Sequence, residues 1–503
     1  MITKVRVVGA GAMGRGIAQT AAAAGFTVQI SDVSVDAVRS AVEFITKMLR
    51  RAAEKGQCSA EEAEAAIGRI HPLEQPDEPA GDVDLVVEAV LEDLAVKQSL
   101  FGRLEAALPN AILASNTSSL SITAIAAGLS DPGRLVGMHF FNPVPLMRVA
   151  EIIPGLRSAD RNVEACRQFV ADIGHTPVRC QDSPGFLVNH IGRALVTEAL
   201  ALLAERIAEP DQIDQLARDC LGLKMGPFEL MDLTGLDVTH AVTQIVSEGF
   251  YGEPRLRPSA LAQTRVAAGL FGRKTGAGFY RYPDPTEQRT EQRITPDATA
   301  IPLHLHGLSE LTERFVAAGA TVMTGPVPQS VSLLPVIGEP TYRAAARAGL
   351  DPRTTIGVDP LTLDRPRMAV VASPQTDPGL LAKALQVITA TGPRVTATAD
   401  GAAPVVQRLA ASIVNLGCAV AERGLASTAD IDSAVRLALG YPSGPLELGD
   451  RIGPGLILQI LEGIVDFTGD PRYRPTSWLR MHAECGLPLS AEITRPTGFT
   501  ADS

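Results

Sequence analysis

The chain has 503 residues, of which 46% are apolar and 20% are charged. Because this length exceeds what one hydrophobic core usually organises, we expect two to four domains and exclude both a single small module and general disorder. The 45 Lys and Arg side chains against 56 Asp and Glu give a formal net charge of -11, and no run of five basic residues occurs. This balance argues against a protein that binds nucleic acid through its phosphates.

Cysteine usage and hydropathy indicate where the protein works. No C-x-x-C pair occurs among the six scattered cysteines, which are Cys58, Cys166, Cys180, Cys220, Cys418 and Cys485. This argues against a zinc site and a disulfide scaffold and fits a reducing compartment. A strand-like run begins at Val5, and no apolar stretch reaches the length that spans a bilayer. We therefore expect a cytoplasmic protein with no metal, nucleic-acid or membrane partner.

A glycine-rich turn lies near the start of the chain. Gly9-Ala10-Gly11-Ala12-Met13-Gly14 separates a strand-like run, Lys4 to Val8, from an alanine-rich helical stretch, and Asp32 ends the next strand-like run. In such a turn the first glycine permits a tight bend, the second lets the backbone approach a pyrophosphate, and the third allows close packing of helix on strand. Asp32 would accept hydrogen bonds from an adenosine ribose and repel a 2′-phosphate. The pattern predicts a Rossmann-type site for NAD.

Two polar clusters follow later strands of the same predicted sheet, Ser115 to Ser119 and then His139-Phe140-Phe141-Asn142-Pro143. In open α/β sheets, ligands bind beyond the carboxyl ends of the strands. Histidine titrates near neutral pH, so His139 could take the proton released when an alcohol is oxidised, and Glu151 could hold its other ring nitrogen. From these residues alone, the simpler interpretation is that His139 is a hydrogen-bonded loop histidine and that Glu151 is a solvated acid.

The pattern of the chain changes after Ser183. Before it, short β-branched runs alternate with helical patterns, which predicts a mostly parallel, doubly wound sheet. From Phe186 to Ile207 the apolar residues recur at three- and four-residue spacings, which is typical of an amphipathic helix, and helical patterns continue to about Phe271. Four prolines among polar residues between Pro283 and Pro302 indicate a linker.

Sequence landmarks recur in the second half at a constant offset of 218 residues. Gly226-Pro227-Phe228-Glu229-Leu230 matches Gly444-Pro445-Leu446-Glu447-Leu448, and Asp182 matches Asp400. The second copy has Gln407 where the first has Asn189, and the stretch before it lacks a glycine-rich turn. We therefore predict one active site per chain, with the second half as scaffold.

The predicted architecture is an α/β Rossmann domain followed by an all-α domain, a degenerate α/β segment and a second copy of the all-α domain. The expected boundaries are 1–183 for the NAD-binding domain, 184–283 for the first helical copy, 284–302 for the linker, 303–400 for the degenerate Rossmann-like segment and 401–503 for the second helical copy.

These motifs resemble the 3-hydroxyacyl-CoA dehydrogenase family, and the doubled helical domain is similar to its long bacterial form. Besides the glycine-rich turn, the resemblance rests on Glu88-Ala89-Val90-Leu91-Glu92, Ser115 to Ser119, His139 to Pro143, Pro184-Gly185-Phe186-Leu187-Val188-Asn189, Gly226 to Leu230, and Gly272 to Tyr280. The likeness covers residues 1 to about 283 and, through the second helical copy, much of the remainder.

The resemblance implies roles for individual side chains. His139 would be the catalytic base and Glu151 its partner, Ser118 would contact both substrate and nicotinamide, and Asn189 would hydrogen-bond the reacting oxygen. Lys55 would contact the CoA phosphates, and with Ser118 and Asn189 it would form the substrate side. The residues around the cofactor would be Gly9, Ala10, Gly11, Ala12, Met13, Gly14, Asp32, Glu92, Lys97, Ser118, Asn142 and Lys274.

The implied function is NAD-dependent oxidation of an (S)-3-hydroxyacyl-CoA to the 3-ketoacyl-CoA, as in β-oxidation of fatty acids or phenylacetate degradation. Short-chain or dicarboxylic substrates, 3-hydroxybutyryl-CoA or 3-hydroxyadipyl-CoA, are favoured. The two helical copies would pack as an intramolecular pseudo-dimer, and further homodimerisation stays open. Two alternatives also stay open, a non-catalytic structural or binding member of the family and a β-hydroxyacid dehydrogenase that acts on free acids.

Overall fold

The structure is a computed structural model that describes residues 2–79, 81–282 and 294–493. The predicted linker at 284–302 therefore lies partly outside the described residues. Its described part, 294–302, contains no helix or strand.

Strands and helices alternate in the first part of the chain. The strands are β1 (Lys4–Val8), β2 (Thr27–Ser31), β3 (Ile70–Pro72), β4 (Leu85–Glu88), β5 (Ile112–Ser115), β6 (Leu135–Phe140), β7 (Val149–Pro154) and β8 (Thr176–Arg179). The helices are α1 (Ala12–Ala23), α2 (Val35–Glu54), α3 (Ala60–Gly68), α4 (Leu94–Ala107), α5 (Ile122–Ala126) and α6 (Asp160–Asp172).

A helical segment follows. It contains α7 (Val188–Ala204), α8 (Pro210–Leu221), α9 (Pro227–Thr234), α10 (Leu236–Gly249) and α11 (Ala260–Ala267). The repeated Gly-Pro-x-Glu motif explains where α9 begins. Pro227 needs no hydrogen-bond partner at the first helical position, while Asp214 accepts the backbone N–H groups of Phe228 and Glu229. The motif is therefore a helix start, which accounts for its occurrence in both copies.

The second half again begins with strands and ends with helices. Its strands are β9 (Leu303–Leu305), β10 (Val322–Met323), β11 (Val331–Pro335), β12 (Thr355–Val358), β13 (Arg367–Ala372) and β14 (Arg394–Ala399). Its helices are α12 (Thr312–Ala317), α13 (Thr341–Arg347), α14 (Pro378–Ala390), α15 (Val405–Glu422), α16 (Thr428–Ala438), α17 (Pro445–Ile452), α18 (Pro454–Thr468) and α19 (Ser477–Cys485).

The chain forms two compact units that do not follow sequence order. The first unit consists of Met1–His190 and Gly424–Leu439, and the second of Ile191–Arg423 and Gly440–Ser503. The expected Rossmann and helical fold class is confirmed. The domain boundaries drawn from the sequence remain predictions.

The first unit is built on an eight-stranded sheet of order β3-β2-β1-β4-β5-β6-β7-β8. Strands β6 and β7 pair antiparallel and every other neighbouring pair of this sheet is parallel. Helix α16, from near the end of the chain, packs against β7 and β8, and the Gln181 N–H donates to the Leu425 carbonyl at 2.8 Å. A segment of the second helical copy therefore completes this unit.

The second unit contains a shorter sheet of order β10-β9-β11-β12-β13-β14. The 218-residue offset places β9 on β4, and the antiparallel pair of β12 and β13 repeats that of β6 and β7. Twenty residues separate Tyr282 from Leu303, which leaves no room for counterparts of β1, α1 and β2. The described residues of the second half therefore contain no counterpart of the glycine-rich turn or of the βαβ unit that carries it.

The same offset identifies the residues of the second sheet that correspond to His139 and Glu151. They are Gly357 of β12 and Ala369 of β13, and Gly357 pairs with Val371 rather than with Ala369. Asp400 accepts the Thr341 and Tyr342 N–H groups at the start of α13. Asp182 does the same at the start of α5. The second half thus has the same structural carboxylate, while Gly357 and Ala369 carry no side chain that can exchange a proton.

Helix α15 is long and apolar enough to cross a membrane by length and composition. However, 89% of that stretch is buried inside the protein. Its side chains form the centre of the second unit, so its composition is explained by core packing.

A close backbone contact holds α18 against the loop that follows β11. A Cβ atom on Gly463 would lie only 2.1 Å from the Gly338 carbonyl oxygen, whereas one on Gly455, in the first turn of the same helix, would meet nothing within 4 Å. The position of Gly463 therefore requires the absence of a side chain.

We predict that Gly463→Ala destabilises the protein, because the added methyl forces α18 away from the Gly338 loop by an overpacking effect of about 1–3 kcal/mol. Gly455→Ala is the matched control and should leave the melting temperature unchanged or slightly higher, since alanine favours helix. Thermal unfolding of the two variants beside the parent measures both effects. Equal melting temperatures for the two variants would show that this contact does not constrain the fold.

Candidate active site

The glycine-rich turn between β1 and α1 has the shape that a pyrophosphate requires. Gly9 has a φ of +107°. A Cβ on Gly9 would lie 2.4 Å from the Ala89 carbonyl oxygen, and one on Gly14 would lie 1.7 Å from the Gly9 carbonyl oxygen. A Cβ on Gly11 would meet nothing within 4 Å. The outer glycines thus close the turn, while the middle one faces open space where a ligand can approach.

Asp32 lies just beyond the carboxyl end of β2, next to this turn. Its two carboxylate oxygens accept the Ala10 N–H at 2.7 Å and the Ser34 N–H at 3.1 Å. A cavity of about 620 Å³ adjoins it, lined mainly by apolar side chains that include Val33, Val90 and Leu91. An apolar cavity with a carboxylate at its edge suits an adenosine moiety, so the residues present fit NAD.

His139 and Glu151 face each other across β6 and β7. The antiparallel register pairs the two residues directly, and His139 Nδ1 lies 2.6 Å from Glu151 Oε2. The imidazole is 6% exposed and the carboxylate is fully buried. The rings of Phe141 and Phe186 lie 4.5 and 5.9 Å from the imidazole centroid. The arrangement leaves Nε2 as the ring nitrogen available for a reaction.

The other oxygen of Glu151 is held by backbone. Oε1 accepts the Leu187 N–H at 2.9 Å and the Val188 N–H at 2.8 Å, at the start of α7. A buried carboxylate needs such compensation, because losing hydration without it is costly. Helix α7 therefore begins at the carboxylate that orients His139.

Ser118 and Asn189 are in contact, and their predicted roles toward substrate and cofactor remain predictions. The Asn189 side-chain amide donates to the Ser118 carbonyl oxygen at 3.4 Å, and both side chains are partly exposed. In the second half, Gln407 donates to the Val336 carbonyl oxygen at 2.7 Å, and these two residues have the same 218-residue offset. The duplication therefore kept this link between the sheet and the helix.

Glu92 and Lys97 lie beneath the loop that carries Ser118. Glu92 Oε1 accepts the Ser118 and Ser119 N–H groups at 2.8 and 3.0 Å and the Thr117 hydroxyl at 2.7 Å. Burial opposes ionisation of this carboxylate, but these hydrogen bonds and the charge of Lys97 together hold the pKa of Glu92 below its usual value. Glu92 therefore fixes the conformation of the serine-rich loop.

Lys97 is 1% exposed, with its ammonium 2.5 Å from Glu88 and 3.3 Å from Glu92. Glu88 is itself fully buried and also accepts the Ser115 hydroxyl at 2.6 Å. The buried ammonium group of Lys97 thus connects two carboxylates. Its predicted part in binding the cofactor remains a prediction.

Three further predicted residues are Asn142, Lys55 and Lys274. Asn142 follows β6 and is exposed, and Lys55 is exposed at the end of α2. Lys274 belongs to the second unit, where its ammonium lies 2.6 Å from Asp237. Among the described residues, no group of three or more His, Cys, Asp or Glu side chains could hold a metal ion.

Sequence reasoning missed two parts of this site. Glu88 belongs to the motif Glu88 to Glu92 and is a charged residue at the end of an apolar strand. This position indicates a buried carboxylate with a partner, so the sequence did contain a signal for it. The Leu187 and Val188 amides gave no signal, because every residue except proline carries an N–H.

The fold and this site define a dinucleotide-dependent dehydrogenase. The family model for the NAD binding domain of 3-hydroxyacyl-CoA dehydrogenase matches residues 4–183. The model for the C-terminal domain of the same family matches residues 185–282 and again 405–491. The chain belongs to the 3-hydroxyacyl-CoA dehydrogenase family and is an NAD-dependent oxidoreductase. The predicted duplication of the helical domain is confirmed.

Relatives of two lengths match the chain. A 3-hydroxyadipyl-CoA dehydrogenase of Escherichia coli K12 is 36% identical over 96% of this chain and 98% of its own length. A probable 3-hydroxybutyryl-CoA dehydrogenase of Deinococcus radiodurans is 41% identical over 56% of this chain and its own full length. The crystal structure of a 3-hydroxybutyryl-CoA dehydrogenase from Escherichia coli K12 superposes with a TM-score of 0.86 at 34% identity, covering 96% of this chain and 99% of the other.

We predict that Asp32→Asn raises the KM for NAD about tenfold with little change in kcat, because the amide cannot accept from both loop N–H groups and the ribose. The same variant should discriminate less against NADP. Asp36→Asn, an exposed carboxylate on α2, is the matched control and should leave both values unchanged. Steady-state kinetics with each dinucleotide would measure this, and an unchanged KM for NAD would remove Asp32 from the cofactor site.

Proposed function

We propose that the chain oxidises (S)-3-hydroxyacyl-CoA thioesters to 3-ketoacyl-CoA and that His139, assisted by Glu151, moves the proton. The observation that carries this assignment is the 2.6 Å contact between His139 Nδ1 and a fully buried carboxylate. Family membership sets the reaction class, and this contact supports a histidine prepared for proton transfer.

Glu151 selects the state of the imidazole that the reaction needs. A carboxylate at Nδ1 favours the tautomer with its proton on that nitrogen, so Nε2 is left as the acceptor. His139 Nε2 then takes the proton from the 3-hydroxyl group of the substrate, and Glu151 stabilises the resulting imidazolium. NAD, when bound, supplies the hydride acceptor. Ser118 and Asn189 would orient the hydroxyl and thioester oxygens, which is a contribution of positioning.

The second half supports one active site per chain. At the 218-residue offset, Gly357 and Ala369 stand where a second histidine and glutamate would be needed, so neither position offers a proton acceptor. Within the second unit, Arg408 of α15 lies 2.6 Å from Glu198 of α7 and 2.5 Å from Glu205, which directly follows that helix. Arg408 and Glu198 are buried, and this cluster joins the two helical copies and supports the proposed intramolecular pseudo-dimer.

The full-length relatives support a choice of substrate, and the cysteines support a cellular location. The 3-hydroxyadipyl-CoA dehydrogenase aligns over nearly the whole chain, so we favour a dicarboxylic acyl-CoA, as in phenylacetate degradation, with 3-hydroxybutyryl-CoA as the second candidate. All six cysteines are free thiols, which supports a place in the reducing cytoplasm.

We predict that His139→Ala lowers kcat by at least about 10³-fold and Glu151→Gln by about 10–100-fold, because the first removes the proton acceptor and the second removes the charge that supports it. His71→Ala, an exposed histidine on β3, is the control and should retain full activity. NADH formation from (S)-3-hydroxybutyryl-CoA would measure all three, and an active His139→Ala variant would refute the assignment.

We also predict that kcat/KM is higher for 3-hydroxyadipyl-CoA than for C4, C6 or longer monocarboxylic 3-hydroxyacyl-CoAs, by about tenfold or more. The corresponding free 3-hydroxyacids should be turned over poorly, because they lack the CoA moiety from which binding energy is drawn. The same NADH assay across this series is the measurement. A preference for free acids would favour the β-hydroxyacid dehydrogenase alternative.

A further inference from the structure

We propose that the backbone N–H groups of Leu187 and Val188 position Glu151 for the reaction and that Phe186 is the residue that aims them. The inference rests on the proposed role of Glu151 beside His139. It adds a second requirement, that the start of α7 is part of the proton-transfer apparatus.

The contacts divide the two oxygens of Glu151 between two tasks. Oε2 faces the imidazole of His139, while Oε1 receives both the Leu187 and the Val188 N–H. With two donors on one oxygen, rotation of the carboxylate would break both hydrogen bonds, so Oε2 is held toward Nδ1. The side chain is fully buried, where hydrogen bonds to a charged group are strong and their loss is costly.

The position of these donors at a helix start adds to the effect. Val188 is the first residue of α7, and the free N–H groups of a first helical turn carry partial positive charge directed along the axis. The negative charge that stabilises a protonated His139 is thus itself stabilised by the helix.

Phe186 gives the chain the turn that this geometry needs. Its φ is +50°, in the left-handed region that non-glycine residues rarely occupy, and the preceding Gly185 has a φ of +72°. The Phe186 N–H donates to the Ser183 carbonyl at 2.8 Å. Two successive left-handed residues redirect the chain just before Leu187, so that the next two amides face the carboxylate. Such backbone strain is kept where the surrounding structure enforces it.

The first test removes one donor without changing the charge of the site. Val188→Pro deletes the Val188 N–H at the first helical position, where proline is well tolerated, and Val188→Ala trims the side chain but keeps the N–H. We expect kcat of Val188→Pro to fall about 10–100-fold below that of Val188→Ala, with KM values within about threefold of each other. Equal kcat values for the two variants would overturn the proposal.

A second background separates positioning of Glu151 from a general structural effect. In Glu151→Ala there is no carboxylate to hold, so the ratio of kcat between Val188→Ala and Val188→Pro should shrink to within about threefold. If the ratio stays as large as in the parent, the amide acts elsewhere and the proposal fails. If instead Glu151→Ala and His139→Ala retain full activity, the proposed function fails, and that result does not depend on Val188.

Phe186 provides an independent test should Val188→Pro fail to fold. Phe186→Gly loses the ring but adopts a positive φ freely, whereas Phe186→Val keeps more apolar volume but resists that conformation. If the backbone conformation of Phe186 directs the two amides, kcat of Phe186→Val should be about tenfold or more below that of Phe186→Gly. If Phe186 acts only through the packing of its ring, kcat of Phe186→Val should instead exceed that of Phe186→Gly. That result would overturn the proposed role of Phe186. Thermal unfolding of each variant controls for loss of folded protein.

Discussion

A buried carboxylate is the constraint on which the proposed active site of this protein depends. Glu151 has no access to water, so its charge must be compensated by groups that the fold brings to it. One oxygen meets the imidazole of His139 and the other meets two amides at the start of α7. The antiparallel register of β6 and β7 and the sharp turn before α7 are both needed to satisfy this single side chain. The same contacts that stabilise the buried charge also leave one nitrogen of His139 free to react.

The duplicated half shows which parts of this arrangement serve structure alone. Asp400 still caps a helix as Asp182 does, and Gln407 still joins helix to sheet as Asn189 does. Gly357 and Ala369 stand at the positions of the histidine and glutamate. Neither residue carries a charge that has to be compensated, so no counterpart of the two amides is needed at that position. Loss of chemistry and retention of packing are thus visible within one chain.

Much of the fold could be read from the sequence, because its signals are local. The glycine-rich turn, the β-branched runs and the three- and four-residue apolar spacings each depend on a few neighbouring residues. The residues of the candidate site came mainly from likeness to a family, since a lone histidine and a glutamate twelve residues later have simpler explanations. Burial of Lys97 against Glu88 could not be read, because lysine is usually exposed. The role of the Leu187 and Val188 amides could not be predicted from the sequence either, because backbone donors are the same at every position except proline.

The two halves have exchanged a helix, since α8 packs on β13 and β14 while α16 packs on β7 and β8. During synthesis, the first sheet emerges from the ribosome more than two hundred residues before the helix that covers its far end. Strands β7 and β8 therefore lack the helix that packs against them until most of the polypeptide has been synthesised. The first compact unit is therefore complete only when residues 424–439 of the second half are present.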